Sequence, residues 1–183
     1  LFGYTAMATF YIVSQWLAQY GESVAGMPYS EALKLLSIYT TGSLAGVFCS
    51  SLALRTFLSP QMMLLGCTTV STLALAVACF FPSPTVMFGF SFIFGFAAAG
   101  GVVQLGLAMM AAQFPRARGR ATGIYYSAGS ISNFTMPLIT AWIVREWSIH
   151  EIFKFDVIIS GCGILLAVFI AWRSRHAQAI DLN

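Results

Sequence analysis

Residues 86–114 read VMFGFSFIFGFAAAGGVVQLGLAMMAAQF, a run without Asp, Glu, Lys, Arg or His. A hydrocarbon layer about 30 Å thick takes about 20 apolar residues in a helix, and this run exceeds that length. It is continuous, so it reads as a helix and not as the ten-residue alternation of a membrane strand. Five further stretches share the pattern: 4–20, 32–54, 58–81, 121–146 and 152–172. The expectation is an all-α, polytopic transmembrane six-helix bundle. Residues 1–183 form one domain, with a tail over 173–183.

The composition of the whole chain agrees. Of 183 residues, 58% are hydrophobic and 8% charged, and the mean hydropathy is +0.82. A soluble domain is about 25% charged. A chain without that polar skin is not a soluble enzyme, a nucleic-acid binder or a disordered protein. Its net charge of +3 points to no nucleic-acid partner. Cys49, Cys67, Cys79 and Cys162 form no C-x-x-C pair and read as small buried apolar fillers. The first residues lack a basic segment and a small-residue cleavage site, so no signal peptide is expected. With no start Met, Leu1 is expected not to be the natural beginning.

Connections are short, which makes neighbouring spans antiparallel. They lie near 21–30, 55–57, 82–85, 115–120 and 147–151. Arg55, Arg116, Arg118, Arg120, Arg173 and Arg175 fall on one side, and Lys34, Arg145 and Lys154 on the other. The Arg-rich side is expected to be cytoplasmic, and an even number of spans puts both termini there. Tyr20, Tyr29, Trp142 and Trp147 are then placed at the outer interface, with Tyr4 and Trp172 at the inner one.

Ionisable residues within a membrane are costly and usually functional. None is placed at mid-depth. Lys154 and Asp156 come nearest, in the first turns of the sixth span, so any coupling carboxylate is expected from elsewhere. Neutral polar groups do occur at depth. Tyr11 and Gln15 share a face at i, i+4, Gln104 follows Gly100 and Gly101, and Tyr126, Ser130 and Asn133 fall at i, i+4, i+7. Gln15, Gln104 and Asn133 fit either interhelical hydrogen bonds or a water-filled path. Polarity gathers in spans one, two, four and five, which would surround such a path and leave three and six to lipid.

Gly42/Gly46 and Gly119/Gly123 have the spacing that lets helices approach closely. Gly89, Gly95, Gly100 and Gly101 thin the fourth span, and Pro137 should kink the fifth near Asn133. Other motifs fail. Asn133-Phe-Thr135 lies inside a span, out of reach of glycosylation. Ser130 has no base nearby, since His150 and His176 lie at an edge and in the tail. No metal-ligand spacing and no P-loop occur. No enzyme activity, metal or cofactor is expected.

Residues 113–142, QFPRARGRATGIYYSAGSISNFTMPLITAW, resemble the major facilitator superfamily. There the loop between the fourth and fifth spans of a half often reads P-x-x-x-R-G-x-A-x-G, followed by small residues and a proline. Pro115, Arg118 with its spacing shifted by one, Gly119, Ala121, Gly123 and Pro137 carry the match. Of that family's G-x-x-x-D-R-x-G-R-R signature, Gly42, Gly46 and Arg55 remain and the acid is absent, as in second halves. The resemblance therefore implies a C-terminal half built from two three-helix repeats. Residues 100–106 with 123–126 resemble its sugar- and organic-acid-permease branches.

The resemblance implies that Tyr11, Gln15 and Gln104 line a substrate cavity and that Tyr126 and Asn133 flank it. Arg116, Arg118 and Arg120 would meet the other half on the cytoplasmic side. The expected function is secondary transport of a small polar solute, sugar-like or organic acid, across the cell's inner membrane by alternating access. Partners would be the lipid bilayer, the small-molecule substrate and an N-terminal six-helix half. Amides and tyrosines without fixed charge suit a neutral hydroxyl-rich solute, or an anion if the other half brings arginine. The alternative is a complete six-span protein that pairs with a second copy as a pore or structural subunit.

Overall fold

The computed structural model describes residues 1–56, 59–114 and 117–180. Among them every regular element is a helix: α1 (Phe2–Ser23), α2 (Tyr29–Thr56), α3 (Pro60–Phe80), α4 (Pro84–Phe94), a π-helix (Gly95–Val102), α5 (Val103–Gln113), α6 (Arg118–Glu146) and α7 (Ile149–Ile180). α4, the π-helix and α5 follow one another without a break and make one rod.

Local chemistry sets several of the ends. Ser59 and Ser83 cap α3 and α4, each accepting from the backbone N–H three residues on, and each is followed by proline in the first turn. Proline fits there because that N–H has no helical partner to lose. After α1 the chain turns at Gly26, whose φ of +67° suits glycine. The N–H of Met27 then returns to the Gly21 carbonyl at 3.0 Å.

Four helical segments are long and apolar enough to cross a membrane: Tyr29–Ala53, Pro60–Phe80, Pro84–Ala111 and Ile149–Trp172. α1 and α6 are long enough, at 22 and 29 residues, but are more polar. α1 carries Ser14, Gln15 and Gln19, and α6 carries Arg118, Arg120, Asn133 and a series of hydroxyls.

α1 packs on α6, α2 on the π-helix and α4, and α3 on α7. Exchange the first three passes with the last three, and the α1–α6 pair becomes the pair of α2 with the rod, while α3–α7 maps onto itself. The α1–α7 contact likewise becomes that of the rod with α3. Two three-helix repeats related by a two-fold axis give this pattern.

Glycine makes the contact of α2 with the rod close. Gly42 lies beneath the Phe92 carbonyl, Gly46 beneath that of Phe96, and Gly95 beneath that of Tyr39; a Cβ at any of them would strike main chain. At Gly100 a Cβ would stand 2.5 Å from Gly46 Cα, and at Gly101 2.6 Å from the Cys67 sulfur. The Ser50 hydroxyl donates to the Gly100 carbonyl at 3.0 Å across the same seam. Gly119 and Gly123 differ. Both face open space, because their spacing puts them on one face of α6 but does not bring a neighbour to it.

Tyr20, near the end of α1, is buried within the bundle. Its ring stacks on Phe153 with centroids 3.7 Å apart, and its hydroxyl lies 3.3 Å from the Ala78 carbonyl and 3.0 Å from His150 Nδ1. A carbonyl only accepts, so Tyr20 donates to Ala78 and His150 Nδ1–H donates to Tyr20. α7 begins at Ile149, one turn earlier than its apolar run, and so carries His150 alongside Tyr20. Of the cysteines, Cys79 is buried and Cys67 half-buried, but Cys49 and Cys162 are exposed. An apolar run does not say which face a residue occupies.

Tyr29, Trp142, Trp147 and Trp172 are exposed. Tyr4 is half-buried and shares a 2.9 Å hydrogen bond with Thr135 of α6.

Candidate functional site

α1 and α6 run side by side in the same direction. Gly3 lies against the Tyr125 ring and Gly129 against Met7. Further along the pair, Tyr11, Gln15, Trp16 and Gln19 meet Pro137 and Thr140 around an open groove of about 200 Å³. Tyr11, Gln15 and Gln19 fall at i, i+4, i+8 and therefore form one stripe.

Each wall residue has a defined hydrogen-bonding role. Gln15 and Gln19 are exposed and present primary amides that both donate and accept. The Thr140 hydroxyl, buried behind the groove, donates to the Met136 carbonyl at 2.8 Å. Pro137 has no N–H, which frees the Asn133 carbonyl from its helical donor. Trp16 adds an apolar wall. The groove is neutral, able to donate and accept but not to pair with an ion.

Tyr11, Gln15 and Pro137, each singled out by the sequence, come together in this groove. Gln19, Trp16 and Thr140 were missed. Gln19 continues the i, i+4 stripe and was legible from that spacing; Thr140 becomes relevant only through its contact with α1. Gln104 on α5 and Tyr126 and Asn133 on α6 are exposed but lie outside this groove. The Tyr126 ring meets Tyr125 edge-on at 6.1 Å. Arg118 and Arg120 are exposed at the start of α6, where no acidic residue accompanies them. Positive charge there opposes the helix dipole, so helix stability does not account for them. Arg116 and the side chains of Arg55, Arg173 and Arg175 lie outside the described residues.

Asp156 corrects the reading of ionisable residues. It is wholly buried, although sequence alone put it in the opening turns of a span. The start of α7 at Ile149 moves it about 4.5 Å further along the helix, to about 10 Å from the first residue, at 1.5 Å per residue. α1 then covers it. The Thr9 hydroxyl faces the carboxyl group, yet neither carboxyl oxygen nor Thr9 Oγ1 completes a hydrogen bond.

A helical chain with glycine-tight seams, two interchangeable three-helix units and a polar groove on its least apolar helices has a clear counterpart among known proteins. The family model described as Major Facilitator Superfamily matches residues 1–182. The chain belongs to that superfamily. It is 54% identical over 175 residues to the Inner membrane transport protein YdiM of Escherichia coli (strain K12), covering 96% of this chain and 43% of YdiM. It is 38% identical over 183 residues to the Inner membrane transport protein YdiN of the same organism, covering 100% of this chain and 43% of YdiN. With the Uncharacterized MFS-type transporter YfkL of Bacillus subtilis (strain 168) it shares 32% identity over 175 residues, 96% of this chain and 44% of YfkL. The chain thus spans a little under half the length of these relatives. The superfamily consists of transporters and not enzymes.

Proposed function

We propose that this chain is the C-terminal six-helix half of a secondary transporter of the inner membrane. In this reading α1 and α6 cross the membrane together with the four more apolar segments. Both termini are cytoplasmic, and Arg118 and Arg120, with Arg116, meet the N-terminal half on that side. Two halves rock about a midplane site, the mode of transport typical of such repeat-built carriers.

The observation that supports this most is the groove between α1 and α6, where Gln15 and Gln19 present amides beside Pro137. Polar groups on helices that otherwise pack along their length are costly unless something wet meets them. Neutral donors and acceptors favour a neutral, hydroxyl-rich solute. Gln104, Tyr126 and Asn133, exposed on α5 and α6, would complete the wall that the N-terminal half closes.

The test is counterflow in liposomes carrying the full-length native protein, with panels of neutral polyols and sugars and of carboxylates. The expected result is exchange within the neutral panel, reduced about tenfold by Gln15→Ala, the loss of roughly 1.4 kcal/mol of binding. Exchange confined to carboxylates would reject the neutral solute. No exchange in either panel would reject this reading of the groove.

A further inference from the structure

A second polar feature lies on a different face of α1. A small, half-open cavity of about 20 Å³ sits among α1, α3, the π-helix and α7. Its polar lining is six hydroxyls: Thr5, Thr9, Thr68, Ser71, Thr72 and Ser160. Five of them donate back into their own helices. Thr5 donates to the Phe2 carbonyl at 3.0 Å, Thr68 to Leu64 at 2.7 Å, Ser71 and Thr72 to Thr68 at 3.0 and 2.8 Å, and Ser160 to Val157 at 3.1 Å. These five therefore turn only lone pairs to the cavity. Thr9 is the sixth, and its proton is uncommitted.

Asp156 does not line this cavity but adjoins it through Thr9. It faces Thr9, and it lies one turn before Ser160 on the same side of α7. Its burial is complete and its two oxygens have no hydrogen-bond partner. Among the described residues no cation is at hand from the helices packed on α7. α3 has no charged residue, and the charges of α1 and α6 are Glu22, Arg118, Arg120, Arg145 and Glu146, all exposed at helix ends. Within α7, Lys154 pairs with Glu151 at 2.6 Å. Of the other titratable groups, Tyr20 and His150 bond each other, Tyr4 bonds Thr135, and Tyr125 donates to Val103. Tyr11 turns to the groove. Cys67 and Cys79 belong to α3.

We propose that Asp156 is a buried proton-binding site, served by Thr9 and by one water held in the hydroxyl-lined cavity. A space of about 10–15 Å³ admits one water that has two to four polar partners, and this cavity meets both conditions. With Asp156 protonated, the charge is gone and only its neutral carbonyl oxygen is left without a donor. The carboxylic O–H donates to Thr9 Oγ1, the Thr9 O–H donates to the water, and the water donates to the free lone pairs of the other hydroxyls. With Asp156 ionised, Thr9 satisfies one oxygen, and the remaining charge is buried without a partner, which is strongly unfavourable. Loss of the proton therefore favours separation of α1 from α7. That ties the site to the helix that also carries the groove. Its use in driving transport rests on the transporter reading above; the site itself does not.

The test is infrared difference spectroscopy of the full-length native protein in lipid, titrated with pH, with Asp156→Asn and Thr9→Val alongside. The expected result is a protonated-carboxyl C=O band at neutral pH that is lost in Asp156→Asn and moves in frequency in Thr9→Val. A wild type without such a band, or a band unchanged in Asp156→Asn, overturns the proposal. So does a carboxylate band that responds to sodium replacing potassium, which would mark a sodium site. If Asp156→Asn does not fold, Thr9→Val decides, and an unmoved band rejects the relay. None of these readouts requires a substrate, so failure of the transport reading leaves the result interpretable.

Discussion

Gly46 of α2 lies directly beneath the Phe96 carbonyl of the π-helix, so close that a Cβ on Gly46 would strike the oxygen. The obstacle is backbone, which cannot turn aside as a side chain can. Gly46→Leu is expected to destabilise the folded chain by about 1–3 kcal/mol, the usual cost of overpacking. Thermal unfolding of the purified full-length protein reads this as a lower midpoint. Gly119→Ala, which faces open space, should leave the midpoint unchanged or slightly raised.

The Tyr20 hydroxyl joins three helices by accepting from His150 and donating to Ala78. Tyr20→Phe keeps the stack on Phe153 and removes only these bonds, at a cost of about 0.5–1.5 kcal/mol each. Removing one partner of a shared network makes the second removal cheaper. The double variant with His150→Ala should therefore lose less stability than the two single losses added together. Strict additivity in the unfolding midpoints would mean that the two side chains act independently.

The run at 86–114 was legible because an unbroken apolar stretch has one reading in a bilayer. Gly42 and Gly46 were legible as one helix face, but their partner was not. The passage from α4, which carries Phe92, into the π-helix, which carries Phe96, has no signature in local propensity. Gln15 was found by its i, i+4 relation to Tyr11, and the same relation reaches Gln19. Asp156 lies two turns into α7, but hydropathy started its helix at residue 152 and gave no sign that α1 covers it through Thr9, 147 positions away. The start of α7 at Ile149 also explains Tyr20, whose partner His150 lies outside the apolar run.

Gln104 and Gln15 lie on different helices and outside each other's groove. If both meet solute, each replacement by Ala should lower uptake while the amount of folded protein in the membrane stays the same. Uptake by everted vesicles, normalised to detergent-extracted monodisperse protein, separates the two effects. Normal uptake by Gln104→Ala would remove Gln104 from the site and leave the α1–α6 groove standing alone.

Pro137 leaves the Asn133 carbonyl without its helical donor. Pro137→Ala restores an N–H four residues on that can bond the Asn133 carbonyl and stiffen α6 beside Gln15 and Gln19. The expected outcome is equal or higher thermal stability with slower turnover. Loss of stability would mean that the proline ring fills space at the groove and does more than withhold a donor.

The most direct test of the account is aqueous access to Gln15→Cys and Gln104→Cys, each placed in the full-length native protein with Cys49, Cys67, Cys79 and Cys162 replaced. Leu165→Cys, on the exposed apolar face of α7, serves as the lipid-facing control. A membrane-impermeant thiol reagent, applied to one side and then the other, is predicted to label Gln15→Cys and Gln104→Cys from both sides and to leave Leu165→Cys untouched. If neither glutamine position is labelled from either side, or if Leu165→Cys is labelled equally well, these helices do not border an alternating aqueous path.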